Sequence, residues 1–180
     1  MKVSKEKVAE HRRAILLAAA RMFRQRGFDD VSVAEIMKEA GLTHGAFYGY
    51  FASKEALIAE AIGTALAPDP AAPRKSVAAF ADGYLSPRHR DARDASCPFS
   101  SLGTEASRGS KELRHAMTQS LRQTLDRFTA EAKGKTLEEK RRNAIAAWTS
   151  MVGAIVIARI ADDESLSEEV LRETRAALPL

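Results

Sequence analysis

Ser32-Val-Ala-Glu-Ile-Met-Lys-Glu-Ala-Gly-Leu-Thr-His-Gly-Ala-Phe-Tyr-Gly-Tyr-Phe51, continued by Ala52-Ser53-Lys54-Glu55-Ala56-Leu57, is the stretch that decides the fold of this 180-residue chain. Ser32 is placed to cap a helix beginning at Val33, and Glu35 three residues on completes a capping box. Val33, Ile36 and Ala40 share one face at spacings of three and four. Gly41 follows where a helix end favours positive φ, and Leu42 is the apolar plug of the turn. Thr43 can cap a second short helix whose first turn is His44, Gly45, Ala46 and Phe47. Phe47 and Phe51 face inward, which leaves Tyr48 open to solvent. Ser53 caps a third helix, with Glu55 near its positive end. Helix, glycine turn, short helix and following helix are the layout of a helix-turn-helix over residues 32–51, whose second helix enters the DNA major groove. The plain alternative is a three-helix core in which the same caps and aromatics only pack.

Charge agrees with that placement. The chain carries a net +4. Residues 1–54 hold ten Lys/Arg against six Asp/Glu, and residues 55–180 hold eighteen of each. The excess therefore lies on the helix-turn-helix part, where release of counterions from DNA requires it. An apolar content of 45% and a charged content of 29% describe a soluble globular protein. A single cysteine excludes an internal disulfide and a Cys-rich zinc site. The first residues, Met1-Lys2-Val3-Ser4-Lys5-Glu6-Lys7, lack the apolar segment of a signal peptide. The weakly polar run Ala144–Ala158 is too short to span a bilayer. Together these predict a cytoplasmic protein without membrane attachment.

Outside the motif the chain predicts helices only, an all-α fold. A first helix runs from about Ser4 to Arg26 and stops at Gly27. The helix opened by Ser53 ends near Ala67, where Pro68, Pro70 and Pro73 mark a boundary. This divides the chain into a DNA-binding domain over 9–69 and a helical effector-binding and dimerisation domain over 74–180. In the second domain a short helix over 75–85 precedes a charged loop over 86–97. Helices follow over 98–108, 110–133 and 137–162. A last helix begins near Leu166, with Ser165 and Glu168 as its capping box. The helix around Ala144–Ala161 is apolar or small almost all round, so most of its faces need cover. A second copy of the chain, approaching closely at Gly153 and Ala154, supplies it. The four histidines, His11, His44, His89 and His115, form no i, i+4 metal pair. No phosphate-binding glycine loop or Gly-x-Ser-x-Gly element is present, so neither metal nor cofactor is expected.

Residues 9–69 resemble the DNA-binding domain of TetR/AcrR-type transcriptional regulators. The resemblance rests on Phe23-Arg24-Gln25-Arg26-Gly27-Phe28 at the end of the first helix. It rests equally on Thr43-His44-Gly45-Ala46-Phe47-Tyr48-Gly49-Tyr50-Phe51-Ala52-Ser53-Lys54. His44, often basic in the family, and Gly49, often larger, depart from its pattern where base preference is set. The resemblance implies a homodimer on a palindromic double-stranded DNA operator, with repression as the usual mode. It implies that Thr43 and Lys54 hold phosphates, with Ser32 among the contacts. Tyr48 and Tyr50 reach backbone and base edges, His44 lies near bases, and Gly45 lets the backbone approach. It also implies pairing of the last two helices through Trp148, Met151, Val152, Gly153, Ala154, Ile157, Leu171 and Leu178. A small-molecule effector of unknown identity is expected among Phe80, Tyr84, Phe99, Leu102, Met117, Leu121, Leu125, Phe128 and Trp148.

Cys97-Pro98 is the second notable element. Pro98 suits the first position of a helix, which makes Cys97 its cap and predicts a thiol pKa lowered by the helix dipole. Cys97 is accordingly a candidate redox sensor. Two rival functions follow from other classes: a helical-bundle thiol enzyme using Cys97 with His89 as base, and an architectural DNA-binding protein without an effector.

Overall fold

Caps set where each helix starts. The computed structural model describes residues 4–68, 73 and 75–180, and the proposed boundary residue Pro70 lies outside them. Helix α1 spans Lys5–Arg26, with the Ser4 hydroxyl accepting from the Lys7 amide, and it ends at Gly27, φ 86°. Helix α2 spans Val33–Glu39 under the expected capping box: Ser32 Oγ accepts from the Glu35 amide, and the Glu35 carboxylate accepts from the Ser32 amide. Gly41 follows at φ 73°, a conformation that costs a residue without a Cβ little. Helix α3 spans Lys54–Leu66 and is capped by Ser53. Helices α4 (Val77–Tyr84), α6 (Pro98–Arg108), α7 (Lys111–Glu131) and α8 (Leu137–Ile160) lie close to their expected places.

Three local expectations are corrected. The second helix of the motif, His44–Gly49, is a 3-10 helix, and the Thr43 side chain makes no capping hydrogen bond to it. The charged loop over 86–97 instead contains helix α5 (Pro87–Asp91) and a 3-10 turn (Arg93–Ala95). Ser86 starts α5 by accepting from the His89 amide, a cap followed by proline at the first helical position. Helix α9 spans Glu164–Ala177 and begins earlier than expected, because Asp163 accepts from the amides of Ser165 and Leu166. Asp163, and not Ser165, is its cap.

The helices enclose two apolar cores, and these do not divide where the prolines fall. The first contains Ile15, Ala19 and Phe23 of α1, Ile36 and Met37 of α2, Phe47, Phe51, and Leu57 and Ile62 of α3. Leu102 and Ala106 of α6 and Leu113 and Met117 of α7 complete it. The helix-turn-helix is thus built onto the second half of the chain. The second core gathers around Trp148 and Met151 of α8, with Val77, Ala81 and Tyr84 of α4, Phe128 of α7 and Leu171 of α9. Phe99 packs against both. Helix α8 is longer than the apolar run in the sequence suggested, and by length and composition it is apolar enough to cross a membrane. Seven of its residues, including Ala147, Trp148, Met151 and Ile155, are buried among protein side chains, as in a core helix.

Candidate nucleic-acid interface

The 3-10 helix His44–Gly49 is anchored from below and open above. Phe47 and Phe51 are buried and stacked 5.9 Å apart. Tyr48, between them in sequence, is 76% exposed. Thr43, His44 and Gly45 are also exposed, and a Cβ at Gly45 would meet no protein atom within 4 Å. These side chains, which the sequence singled out, therefore share one uncovered edge. The free Thr43 hydroxyl and the backbone at Gly45 are groups that phosphate contacts employ.

Two expected contacts are already engaged within the protein, and a third is half-buried. The Ser32 hydroxyl lies 2.7 Å from Glu35 Oε2, so its proton is committed to the capping box. The Tyr50 hydroxyl is 2.9 Å from His11 Nδ1 on α1, and both residues are half-buried. Lys54 is half-buried at the start of α3. Sequence reasoning missed His11: it lies 39 residues from Tyr50, and no local pattern joins them. The basic excess is also partly spent. Arg12 pairs with Glu60, Arg21 with Glu39, and Arg26 with Glu35. Among the described residues up to position 54, Lys5, Lys7, Arg13, Arg24, Lys38 and Lys54 stand in no ion pair, and of these Arg24 is tied to the Asp94 carbonyl. Glu35 accepts from Ser32 and Arg26, which holds its carboxyl at a pKa of about 2.

The other half of the chain grips this domain through α6. The Phe28 amide, just past the end of α1, donates to Glu105 Oε2 at 2.7 Å. A Cβ at Gly27 would come within 3.0 Å of the same carboxylate. Arg24 Nε donates to the Asp94 carbonyl at 2.8 Å. The Gly27-Phe28 end of α1 is therefore held by a residue 77 positions away.

Around Trp148 the expected effector pocket is filled by its own candidate lining. Phe80, Tyr84, Phe99 and Phe128 all lie with ring centroids 5.6–6.5 Å from that of Trp148. Leu121 and Leu125 pack at the rim of this core, whereas Leu102 and Met117 belong to the first one. Two cavities of about 350 and 360 Å³ lie elsewhere, one beside Arg90, Arg93 and Arg159 and one beside Asp126 and Leu137. The Tyr84 hydroxyl is buried beside Cys97, Ser100 and Arg159, without a hydrogen bond of normal geometry. Its pKa is raised, chiefly by burial.

Cys97 does occupy the position preceding α6, but the expected reactive thiolate is corrected. Burial pushes the thiol pKa up, outweighing the hydrogen bonds and Arg159 that act the other way. His89, the base imagined for it, is committed to backbone groups. Its Nδ1 lies 2.7 Å from the Tyr84 carbonyl and its Nε2 accepts from the Cys97 amide at 3.2 Å. Burial lowers its pKa.

The residues expected at the dimer surface divide by their burial within the protomer. Trp148, Met151, Ala154, Leu171 and Leu178 are buried within the protomer, so they have little area left to give a partner. Val152 and Gly153 are half-buried and Ile157 is 55% exposed. With Ile145, Val156 and Ile160, all exposed, they form one stripe along α8.

The family described as bacterial regulatory proteins, tetR family, matches residues 15–61, the segment that carries the second half of α1, α2, the 3-10 helix and most of α3. Residues 15–61 thus carry the DNA-binding segment of tetR-family regulators. It is 53% identical over 58 residues to the HTH-type transcriptional regulator YdgC of Bacillus subtilis, covering 32% of this chain and 30% of that protein. It is 41% identical over 68 residues to the HTH-type transcriptional repressor BepR of Brucella suis, covering 38% and 32%. The chain thus spans about a third of the length of these two relatives. The crystal structure of Escherichia coli NemR in its reduced form superposes with a TM-score of 0.74 at 23% identity. That match covers 93% of this chain and 94% of NemR, and it extends the shared fold beyond the helix-turn-helix.

Proposed function

We propose that this protein is a dimeric, sequence-specific transcriptional repressor that acts in the cytoplasm on a palindromic operator. The observation that carries the reading is the uncovered edge of the 3-10 helix. Tyr48 is an aromatic side chain three-quarters exposed between two buried phenylalanines, and it adjoins an unbonded Thr43 hydroxyl and an unobstructed Gly45. Packing explains Phe47 and Phe51 but not Tyr48. Two such edges related by a two-fold axis read two half-sites, and the Ile145–Ile160 stripe of α8 is the surface on which that axis would lie. The similarity to BepR, a transcriptional repressor, supports the direction of regulation.

Release by a small-molecule effector is the favoured mode of control. The Tyr84 hydroxyl, buried beside Cys97, Ser100 and Arg159 at the edge of the aromatic core, suits a planar, largely apolar compound with one hydrogen-bond acceptor, which would enter by displacing rings of the second core. Release by modification of Cys97 is disfavoured by the raised thiol pKa. The test is selection of bound fragments from genomic DNA with the native protein and Tyr48→Ala in parallel. Recovery of one palindrome by the native protein alone supports the reading. Equal recovery by both proteins refutes the assignment of the 3-10 helix as the reading element.

A further inference from the structure

The His11–Tyr50 contact has a consequence for DNA binding that follows from counting protons. A tyrosine hydroxyl owns one hydrogen, and a phosphate oxygen can only accept. Tyr50 Oη and His11 Nδ1 are 2.9 Å apart. If Nδ1 is the unprotonated nitrogen, the Tyr50 hydrogen points into the protein and nothing remains to offer a phosphate. If Nδ1 carries the proton, it donates to Tyr50 Oη, and the phenolic hydrogen turns outward. The neighbouring residues fix the pair in place. Arg12, next to His11, lies 4.7 Å over the Phe51 ring and pairs with Glu60. The Tyr50 amide donates to the Phe47 carbonyl at 2.9 Å. The His11 ring meets the Tyr50 ring edge-on, with centroids 6.3 Å apart. Helix α1 thus pins the end of the 3-10 helix through two successive residues.

We propose that His11 is a positioning residue for DNA binding: with its proton on Nδ1 it donates to Tyr50 and turns the Tyr50 hydroxyl into a phosphate donor. Both the neutral tautomer protonated at Nδ1 and the imidazolium meet this requirement. The inference rests on the reading of Tyr50 as a DNA contact, and the experiment separates the two. The affinities of native protein, His11→Leu, Tyr50→Phe and the double variant are measured for a labelled duplex of about 30 base pairs, long enough for two half-sites a turn apart. In parallel, long-range nitrogen NMR of the native protein reports which His11 nitrogen carries the proton, with and without the same duplex. The expected results are a roughly fivefold weakening for either single variant, the scale of one ordinary hydrogen bond. No further loss is expected when His11→Leu is added to Tyr50→Phe, and Nδ1 should be protonated in the complex. An unprotonated Nδ1 in the complex overturns the inference even if His11→Leu proves unstable. So does an undiminished effect of His11→Leu in the Tyr50→Phe background, which reveals a merely structural role. If Tyr50→Phe alone binds as well as the native protein, the Tyr50 contact itself is wrong.

Discussion

Replacing Ile157 by alanine should weaken the proposed dimer without harming the protomer. The side chain is 55% exposed on α8, so roughly half of its apolar surface is available to a partner. Full burial of an isoleucine is worth about 1.5–3 kcal/mol, so the free half is worth ~0.8–1.5 kcal/mol. A two-fold interface counts each residue twice. The pair of substitutions therefore costs ~1.5–3 kcal/mol, a rise in dimer Kd of roughly 10- to 150-fold. Alanine is the best helix former, so α8 itself is not weakened. Sedimentation velocity over a dilution series reads the dissociation constant directly, and thermal unfolding at high concentration checks the protomer. Met151→Ala is the contrasting control. Met151 is fully buried within the protomer, so its truncation should cost about 2–5 kcal/mol of folding stability. An unchanged dimer Kd for Ile157→Ala would refute the assignment of the α8 stripe as the interface and send the search to another surface.

Three further outcomes are expected. Glu105→Ala leaves the Phe28 amide without its charged acceptor and should lower stability by about 1.5–3 kcal/mol in chemical denaturation, with Glu105→Gln recovering much of it; equal stability of all three proteins would show that the α6 grip on α1 is idle. The native Cys97 thiol should react with an aromatic disulfide reagent at least roughly tenfold more slowly than the denatured chain at neutral pH, because burial raises its pKa; equal rates would restore it as a sensor. Glu35 has a folded pKa of about 2 against an ordinary 4.5, so its contribution is present above pH 4.5 and disappears as the pH falls towards 2. Denaturation of native protein and Glu35→Gln over that range should give stability curves that converge at the acid end, and parallel curves would contradict the capping-box account.

Legibility followed the distance over which each interaction acts. The capping box of Ser32 and Glu35 and the positive φ at Gly41 are settled within four residues, and they stand where the residues place them. So does the Ser53 cap. Helix α9 begins earlier than the Ser165–Glu168 pair implies for an equally local reason: Asp163 and Ser165 both offer caps, and Asp163 accepts from two amides. The charged run over 86–97 hid α5 because its only helix signals, Ser86 and Pro87, precede residues with no apolar face to reveal a period.

The sequence by itself determined an all-α chain, the position of the helix-turn-helix, and the residues on its open edge. Caps, glycine turns and helical periodicity operate between near neighbours and need no knowledge of the rest. Only the tertiary structure decided which of the apolar residues on α8 face inward, because a helix apolar on every side has no preferred face until others pack against it. The same holds for Cys97. Its place before α6 lowers the thiol pKa locally, but burial among Tyr84, His89 and α8 raises it more. The partners of Tyr50 and Phe28, His11 and Glu105, were likewise beyond reach. A hydrogen bond between residues 39 or 77 positions apart leaves no periodic trace, and it exists because separately formed helices dock.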